Sequence, residues 1–299
     1  MAHACTLCPR ACKVDRRAGE KGFCRAGSLP SVALACLHRW EEPCLSGSAG
    51  AGTVFFAHCN LRCAFCQNQA ISQQDAGTEI SISRLAAIFL EQQARGAHNL
   101  DLVTPTHYVP QLIDALSLAR RDGFSLPVVY NSNAYETEAT ISSLAGQASI
   151  FLPDLKYFDD IYAERYSAAP GYFAHASRAI ARMAEIAGPP RFDAAGLLQS
   201  GVIVRHLALP GLAADSRRIL EWLWRTFGDD IYISLMNQYT PVHQAGRFRE
   251  INRRLTTREY DRLIDYALGL GIENCFIQEG RTASAEFIPE FNGAGVDSY

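Results

Sequence analysis

The sequence predicts an α/β protein: a partial (β/α)6 TIM-like barrel with a small cysteine-rich N-terminal extension. Three observations carry that expectation. Short apolar runs at 53–58, 100–105, 127–132, 148–155, 201–209, 231–236 and near 275–278 read as buried strands. The stretches between them place apolar residues at helical spacing, so strands and helices alternate and a parallel sheet with right-handed crossovers follows. The first fifty residues break the pattern and hold six of the ten cysteines. About six βα units suit a partial barrel better than a doubly wound sheet, and the chemistry of a barrel lies at the C-terminal ends of its strands. The expected divisions are residues 1–50, 51–280 and a tail at 281–299.

In the first division, Cys5, Cys8 and Cys12 are followed by Cys24, with Gly19, Gly22 and Gly27 supplying turns. So small a unit needs a staple. Three close cysteines with one remote partner suit a second [4Fe–4S] cluster; four cysteines also suit structural zinc; the third reading is a metal-free arm. Cys36 and Cys44 are spare, and Cys44 reads as a buried free thiol. Residues 46–52, rich in glycine and serine, precede a strand and lack a Lys-Ser/Thr ending, so they read as a linker and not as a phosphate loop.

The first apolar run leads into Cys59-Asn60-Leu61-Arg62-Cys63-Ala64-Phe65-Cys66. Three thiolates at this spacing suit three irons of a [4Fe–4S] cube, and no fourth cysteine follows nearby, which leaves one iron open. Zinc fits poorly, because a closed structural site takes four ligands. Three helical faces then stand out. Ser83 caps one carrying Leu85, Ile88 and Phe89. Ile219, Leu220, Leu223, Trp224 and Phe227 make a second, and Tyr260, Leu263, Ile264 and Leu268 a third.

The strand ends supply the polar candidates. Thr104 and Thr106 lie on one strand face if the strand continues, and Thr106 reads equally as a helix cap. The third run ends in Asn131-Ser132-Asn133. The fourth ends in Asp154-Leu155-Lys156, which puts Asp154 and Lys156 on one face, either as a structural ion pair or as functional groups. Lys156 is the only lysine after residue 21. Arg205 and His206 face opposite sides, so at most one points inward; His206 either touches a ligand or is a satisfied core histidine. Arg247, Arg249, Arg253, Arg254 and Arg258 read as a solvated helix face or a docking patch for an acidic electron donor.

Composition narrows the classes further. A net charge of −3 gives no basic field for nucleic acid. No apolar stretch spans a bilayer, and the N-terminus lacks the pattern of a signal peptide. Ten cysteines then point to the reducing cytoplasm and to metal ligation.

The cysteine loop resembles the radical S-adenosylmethionine (SAM) signature, C-x3-C-x-aromatic-C, with Phe65 as the aromatic. Within that superfamily the chain resembles the PflX-type iron–sulfur proteins, which are similar to pyruvate formate-lyase activating enzymes. Cys5-Thr6-Leu7-Cys8-Pro9, Trp40-Glu41-Glu42-Pro43-Cys44, the segment 102–110 and Ile233-Ser234-Leu235-Met236 carry this second likeness. The resemblance implies a barrel of the radical SAM type, a [4Fe–4S] cluster on Cys59, Cys63 and Cys66, and SAM on its open iron. It implies reductive cleavage of SAM to a 5′-deoxyadenosyl radical that takes hydrogen from a substrate, with flavodoxin or ferredoxin as reductant.

Residue by residue, the resemblance points Lys156 toward the SAM carboxylate and Asp154 toward a cation or substrate backbone. It sets Thr104 and Thr106 where many members carry Gly-Gly-Glu-Pro, Asn131 and Ser132 where activating enzymes carry an Asp-Thr turn, and His206 near the adenosine. The substrate is a glycyl radical enzyme, or a small molecule or peptide handled with an auxiliary N-terminal cluster. The non-enzymatic alternative is an iron–sulfur carrier or sensor.

Overall fold

The computed structural model describes residues 4–278 and 289–297. Residues 1–3, and most of the expected tail (281–288, 298 and 299), lie outside the described residues. Ten strands are present among those described: β1 (Ser31–His38), β2 (Ala51–Phe56), β3 (Thr78–Glu79), β4 (Leu100–Val103), β5 (Val128–Ser132), β6 (Ile150–Pro153), β7 (Arg191–Phe192), β8 (Leu198–Leu207), β9 (Tyr232–Met236) and β10 (Cys275–Ile277). Strands β2, β4, β5, β6, β8, β9 and β10 lie side by side in that order, each parallel to the next. Chain order without reversal is the arrangement of a barrel, since a doubly wound sheet reverses at a switch point. The sheet does not close, and the fold is the partial TIM-like barrel the sequence predicts.

Each apolar run alternates between two cores. Leu102, Tyr130, Phe151, Val202 and Val204 pack outward against the helices. Val129, Ile150, Leu152 and Ile203 point inward and enclose Cys44 and Leu45 of the short helix Pro43–Ser46. That helix fills the interior at the starts of the strands, where Asn99 Nδ2 donates to the Leu45 carbonyl at 2.8 Å. The inner space at the strand ends is left open.

Several local readings change. Residues 31–38, read as part of a loop-rich segment, form β1, antiparallel to β2 with His38 opposite Ala51. The sheet therefore begins before residue 51, and the cysteine-dense layer ends near residue 30. The helix Ile82–Ala94 is capped by Ser81, whose hydroxyl accepts from the Arg84 amide, and not by Ser83. In the helix Thr257–Gly269 the buried face is Tyr260, Leu263 and Ala267, while Leu268 is exposed. Arg247 ends the one-turn 3-10 helix Ala245–Arg247, Arg249, Arg253 and Arg254 follow outside any helix, and only Arg258 lies in Thr257–Gly269, so they do not form a helix face. Residues 293 and 294 return to β1, where the Gly293 amide donates to Ala33 O and the Ala35 amide to Ala294 O. Among the described residues no helix is long and apolar enough to cross a membrane.

Candidate active site

The loop after β2 is held from its own backbone. The amides of Arg62 and Ala64 donate to Ser167 O and Tyr166 O at 2.9 and 2.7 Å. The Arg62 guanidinium folds back on Cys59 O and Leu61 O, both at 2.8 Å. His58 enters the loop at φ 74°, in the left-handed region. Its ring is fixed by Tyr108 OH at 2.8 Å and Asp75 at 2.9 Å. Neither histidine nor tyrosine is signalled by a motif.

Each cysteine sulfur meets a donor. The Leu61 amide and Asn133 Nδ2 approach Cys59 Sγ, both at 3.4 Å. Ser167 Oγ donates to Cys63 Sγ at 3.0 Å, and Ser72 Oγ lies 3.3 Å from Cys66 Sγ. Burial, with the neighbouring Cys63, pushes Cys59 up to about 12 and Cys66 up to about 11. As free thiols they are poor nucleophiles. Among the described residues no three side chains converge on a point that one metal ion could fill. A cube offers a separate iron to each thiolate and supplies the positive charge that buried thiolates need, so the donor set fits a [4Fe–4S] cluster. Phe65 is buried edge-to-face on Tyr239, 5.5 Å between centroids, and stiffens the loop from beneath.

The loop faces a cavity of about 240 Å³ lined by Cys63, Cys66, Asn131, Asp154, Lys156, Arg205, Met236 and Tyr239, among others. A hollow of about 540 Å³ adjoins it, sharing His38, Glu41, Gln67, Arg205, Met236 and Gln238. Asp154 and Lys156 do meet, with Nζ 2.7 Å from Oδ2. Between the two candidates at the end of β8, Arg205 is the one that points inward. Its Nε donates to Asp154 Oδ1 at 3.1 Å, Nη1 to Glu41 Oε2 at 3.1 Å and Nη2 to Asn131 Oδ1 at 2.6 Å.

Burial pushes the Asp154 carboxyl up, but Lys156 and Arg205 more than offset this and hold it below its ordinary value. Burial opposes the charge on Lys156, yet Asp154 and Cys63 raise its pKa overall. Four acids, Asp154, Glu41, Glu42 and Asp101, act on Arg205, and the first of them also pairs with Lys156. Burial raises the last three, Asp101 well above its usual range, which favours their neutral forms.

Other candidates lie elsewhere. The strand stops at Val103 and Thr104 takes φ 59°, so the alternation that would have put Thr104 and Thr106 on one face ends there. Thr106 is fully buried and donates to Glu136 Oε1 at 2.7 Å; it caps no helix by its side chain. Ser132 donates to the other oxygen of Glu136 at 2.9 Å. Neither Thr104, Thr106 nor Ser132 lines the cavity. His206 is the satisfied core histidine, between Leu155 O at 2.8 Å and Ser216 Oγ at 2.9 Å, and burial lowers it to about 4.

The first four cysteines are gathered as well. Cys5, Cys8, Cys12 and Cys24 line one small cavity, and no other cysteine among the described residues does. Gly22 is required there, because a Cβ would stand 2.9 Å from both Cys12 Cβ and Sγ. As at the barrel loop, no single-ion geometry is present among the described residues.

An open parallel barrel with a three-cysteine loop after its first parallel strand is the architecture of the radical SAM enzymes, and this chain has it. Streptococcus suis SuiB bound to its precursor peptide SuiA superposes with a TM-score of 0.50 at 14% identity, covering 76% of this chain and 48% of SuiB. SuiB bound to S-adenosylmethionine gives 0.50 at 16% identity, covering 74% and 48%. The [FeFe]-hydrogenase maturase HydG of Carboxydothermus hydrogenoformans gives 0.50 at 12% identity, covering 77% and 54%. The chain thus spans about half the length of each of these three structures, and these likenesses show the fold. No protein-family profile matches the chain. In sequence it is similar to an uncharacterised protein of Methanocaldococcus jannaschii, MJ0674, at 29% identity over 273 residues, 88% of this chain and 74% of that one.

Proposed function

We propose that this protein is a radical SAM enzyme acting on a peptide or small molecule, with a second [4Fe–4S] cluster on Cys5, Cys8, Cys12 and Cys24. One observation carries the reading: Cys63 and Cys66 of the three-cysteine loop open onto the same cavity as Lys156, Asp154, Asn131 and Arg205. When bound, a [4Fe–4S] cluster on Cys59, Cys63 and Cys66 supplies the electron that cleaves SAM to a 5′-deoxyadenosyl radical.

The chain's own residues bind and orient. Lys156, charged and steered by Asp154, presents an ammonium to a carboxylate beside Cys63. Arg205 holds Asp154 and Asn131 in place and keeps its own charge among four acids. Phe55, Val103, Leu207 and Met236 give the same space an apolar side. The adjoining hollow is large enough for a substrate side chain or small molecule, and SuiB's precursor peptide supports the peptide reading. The Asp-Leu-Lys strand end keeps glycyl-radical activation as the second reading. A flavodoxin- or ferredoxin-type donor in the cytoplasm completes the scheme.

The test is anaerobic turnover. Reconstituted protein with a low-potential reductant should convert SAM to 5′-deoxyadenosine repeatedly, and the Cys59/Cys63/Cys66→Ala variant should not. No 5′-deoxyadenosine above the variant's background would refute the enzyme reading and leave an iron–sulfur carrier or sensor.

A further inference from the structure

The four-cysteine site and the three-cysteine loop share a wall, and that wall is Asn60. This residue has no exposed surface. On one side its carbonyl accepts from Arg10 Nε at 3.1 Å, a residue that lines the four-cysteine cavity, and its side chain hydrogen-bonds the Cys8 thiol. On the other its Oδ1 lies 3.9 Å from Cys59 Sγ. The amide is locked between the two sulfurs: Asn133 Nδ2 donates to Oδ1 at 2.8 Å while standing 3.4 Å from Cys59 Sγ, and Asn60 Nδ2 donates to Tyr135 O at 2.7 Å. Arg62 links the two sites as well: its guanidinium donates to Cys59 O at 2.8 Å and to Phe23 O, and the Phe23 amide donates to Cys12 Sγ at 3.4 Å. Each group has one buried cysteine, Cys24 and Cys63, and the others are partly exposed. The three-cysteine loop is the one that opens onto the cavity of Lys156, Asp154 and Arg205, which makes it the acceptor and the four-cysteine site the donor.

We propose that Asn60 is the bridge by which one electron passes from the four-cysteine site to the three-cysteine site, along Cys8–Asn60–Cys59. This rests on the reading above that both sites hold [4Fe–4S] clusters. In the step the N-terminal cluster is oxidised by one electron and the barrel cluster is reduced by one. No bond forms or breaks and no proton moves. A flavodoxin- or ferredoxin-type one-electron donor reduces the N-terminal cluster again.

The experiment uses the full chain, anaerobically reconstituted, beside Cys59/Cys63/Cys66→Ala and Cys5/Cys8/Cys12/Cys24→Ala. Iron, sulfide and zinc are counted first. The EPR spectrum of the doubly reduced parent is then compared with the sum of the two variants' spectra. Spin–spin splitting or broadening absent from that sum is expected. In stopped-flow reduction by reduced ferredoxin, Asn60→Ala should keep the parent's iron and lose the fast phase of barrel-cluster reduction.

Full clusters in both halves with simply additive spectra would overturn the bridge and leave the two-cluster reading standing; so would an unchanged fast phase in Asn60→Ala. Zinc or no metal in the first variant would overturn the two-cluster reading itself. Should Asn60→Ala not fold, the additivity of the spectra decides alone.

Discussion

Replacing Arg205 by Met removes the one cation that Asp154, Glu41 and Asn131 share. Methionine keeps much of the volume, so the effect is electrostatic and not a cavity. Breaking a buried ion pair by deleting one partner costs roughly 3–5 kcal/mol, because the other charge is stranded. Here Asp154 keeps Lys156 at 2.7 Å, and Glu41 escapes by protonation, so the lower end, about 3 kcal/mol, is expected at neutral pH. The sign with pH follows from the two acids. Asp154 has a depressed folded pKa, so it stabilises above its unfolded value and loses that as pH falls; the variant has less to lose. Glu41 has a raised folded pKa, which Arg205 restrains; without Arg205 it opposes folding increasingly as pH rises above the unfolded value.

The Asp154 part of the deficit is therefore full above pH ~4 and lost only below it, while the Glu41 part begins near pH ~4.5 and grows toward pH ~7, so the deficit rises with pH throughout. Urea denaturation of Arg205→Met across that range reads it directly. Adding Glu41→Gln should recover on the order of 1 kcal/mol at neutral pH, as a coupled neighbour does. A deficit that is under about 1 kcal/mol at neutral pH, or flat with pH, would refute the reasoning.

Three further outcomes are expected. Glu136→Gln turns an acceptor of the Tyr130, Thr106 and Ser132 hydroxyls into a donor facing donors, and should cost about 1–3 kcal/mol in urea denaturation. Thr256→Ala removes the hydroxyl that accepts from the Glu259 amide in a capping box and should cost about 1 kcal/mol by the same assay. His206 is held neutral, lowered to about 4 by burial, so the unfolded chain takes up its proton first and stability falls as pH drops from about 6.5 toward 4. His206→Gln should flatten that part of the pH–stability curve, and an unchanged slope would count against it.

The parallel strands were legible because a buried strand announces itself as a β-branched and aromatic run of the right length. Asp154 and Lys156 were legible because alternation needs only one strand. Alternation failed at Thr104 because a positive φ ended the strand two residues early, which sequence does not mark. It also left Arg205 and His206 undecided; the choice is made by Glu41, 164 positions away, and by Ser216 on a facing helix. Strand β1 was missed because Cys36 and its position beside the N-terminal cluster of thiols suggested loop. Asn60 and Asn133 stand within the quoted cysteine loop and strand-end turn, but neither position signals a role there; the role exists only once the two cysteine groups are folded against each other.

Of the 28 basic residues only three are lysines, and the joint between the cysteine layer and the barrel shows a mechanical side to that bias. Arg10 stacks on Phe23 while donating to Asn60 O and Ala168 O. Arg16 reaches His107 O, Arg25 reaches Gln73 O, and Arg62 reaches back to Phe23 O. These are rivets from planar forks to neutral carbonyls, a geometry a single ammonium does not reproduce. Apart from Arg25, which also pairs with Asp75 at 3.2 Å, these contacts go to acceptors without formal charge, so added salt has little to screen, unlike at a seam of ion pairs. Guanidinium ion, however, competes for the same carbonyls. The joint is therefore a fastening that tolerates brine and yields to a chemical copy of its own rivets, so the layer should lift from the barrel in guanidinium before it does in urea of equal denaturing strength.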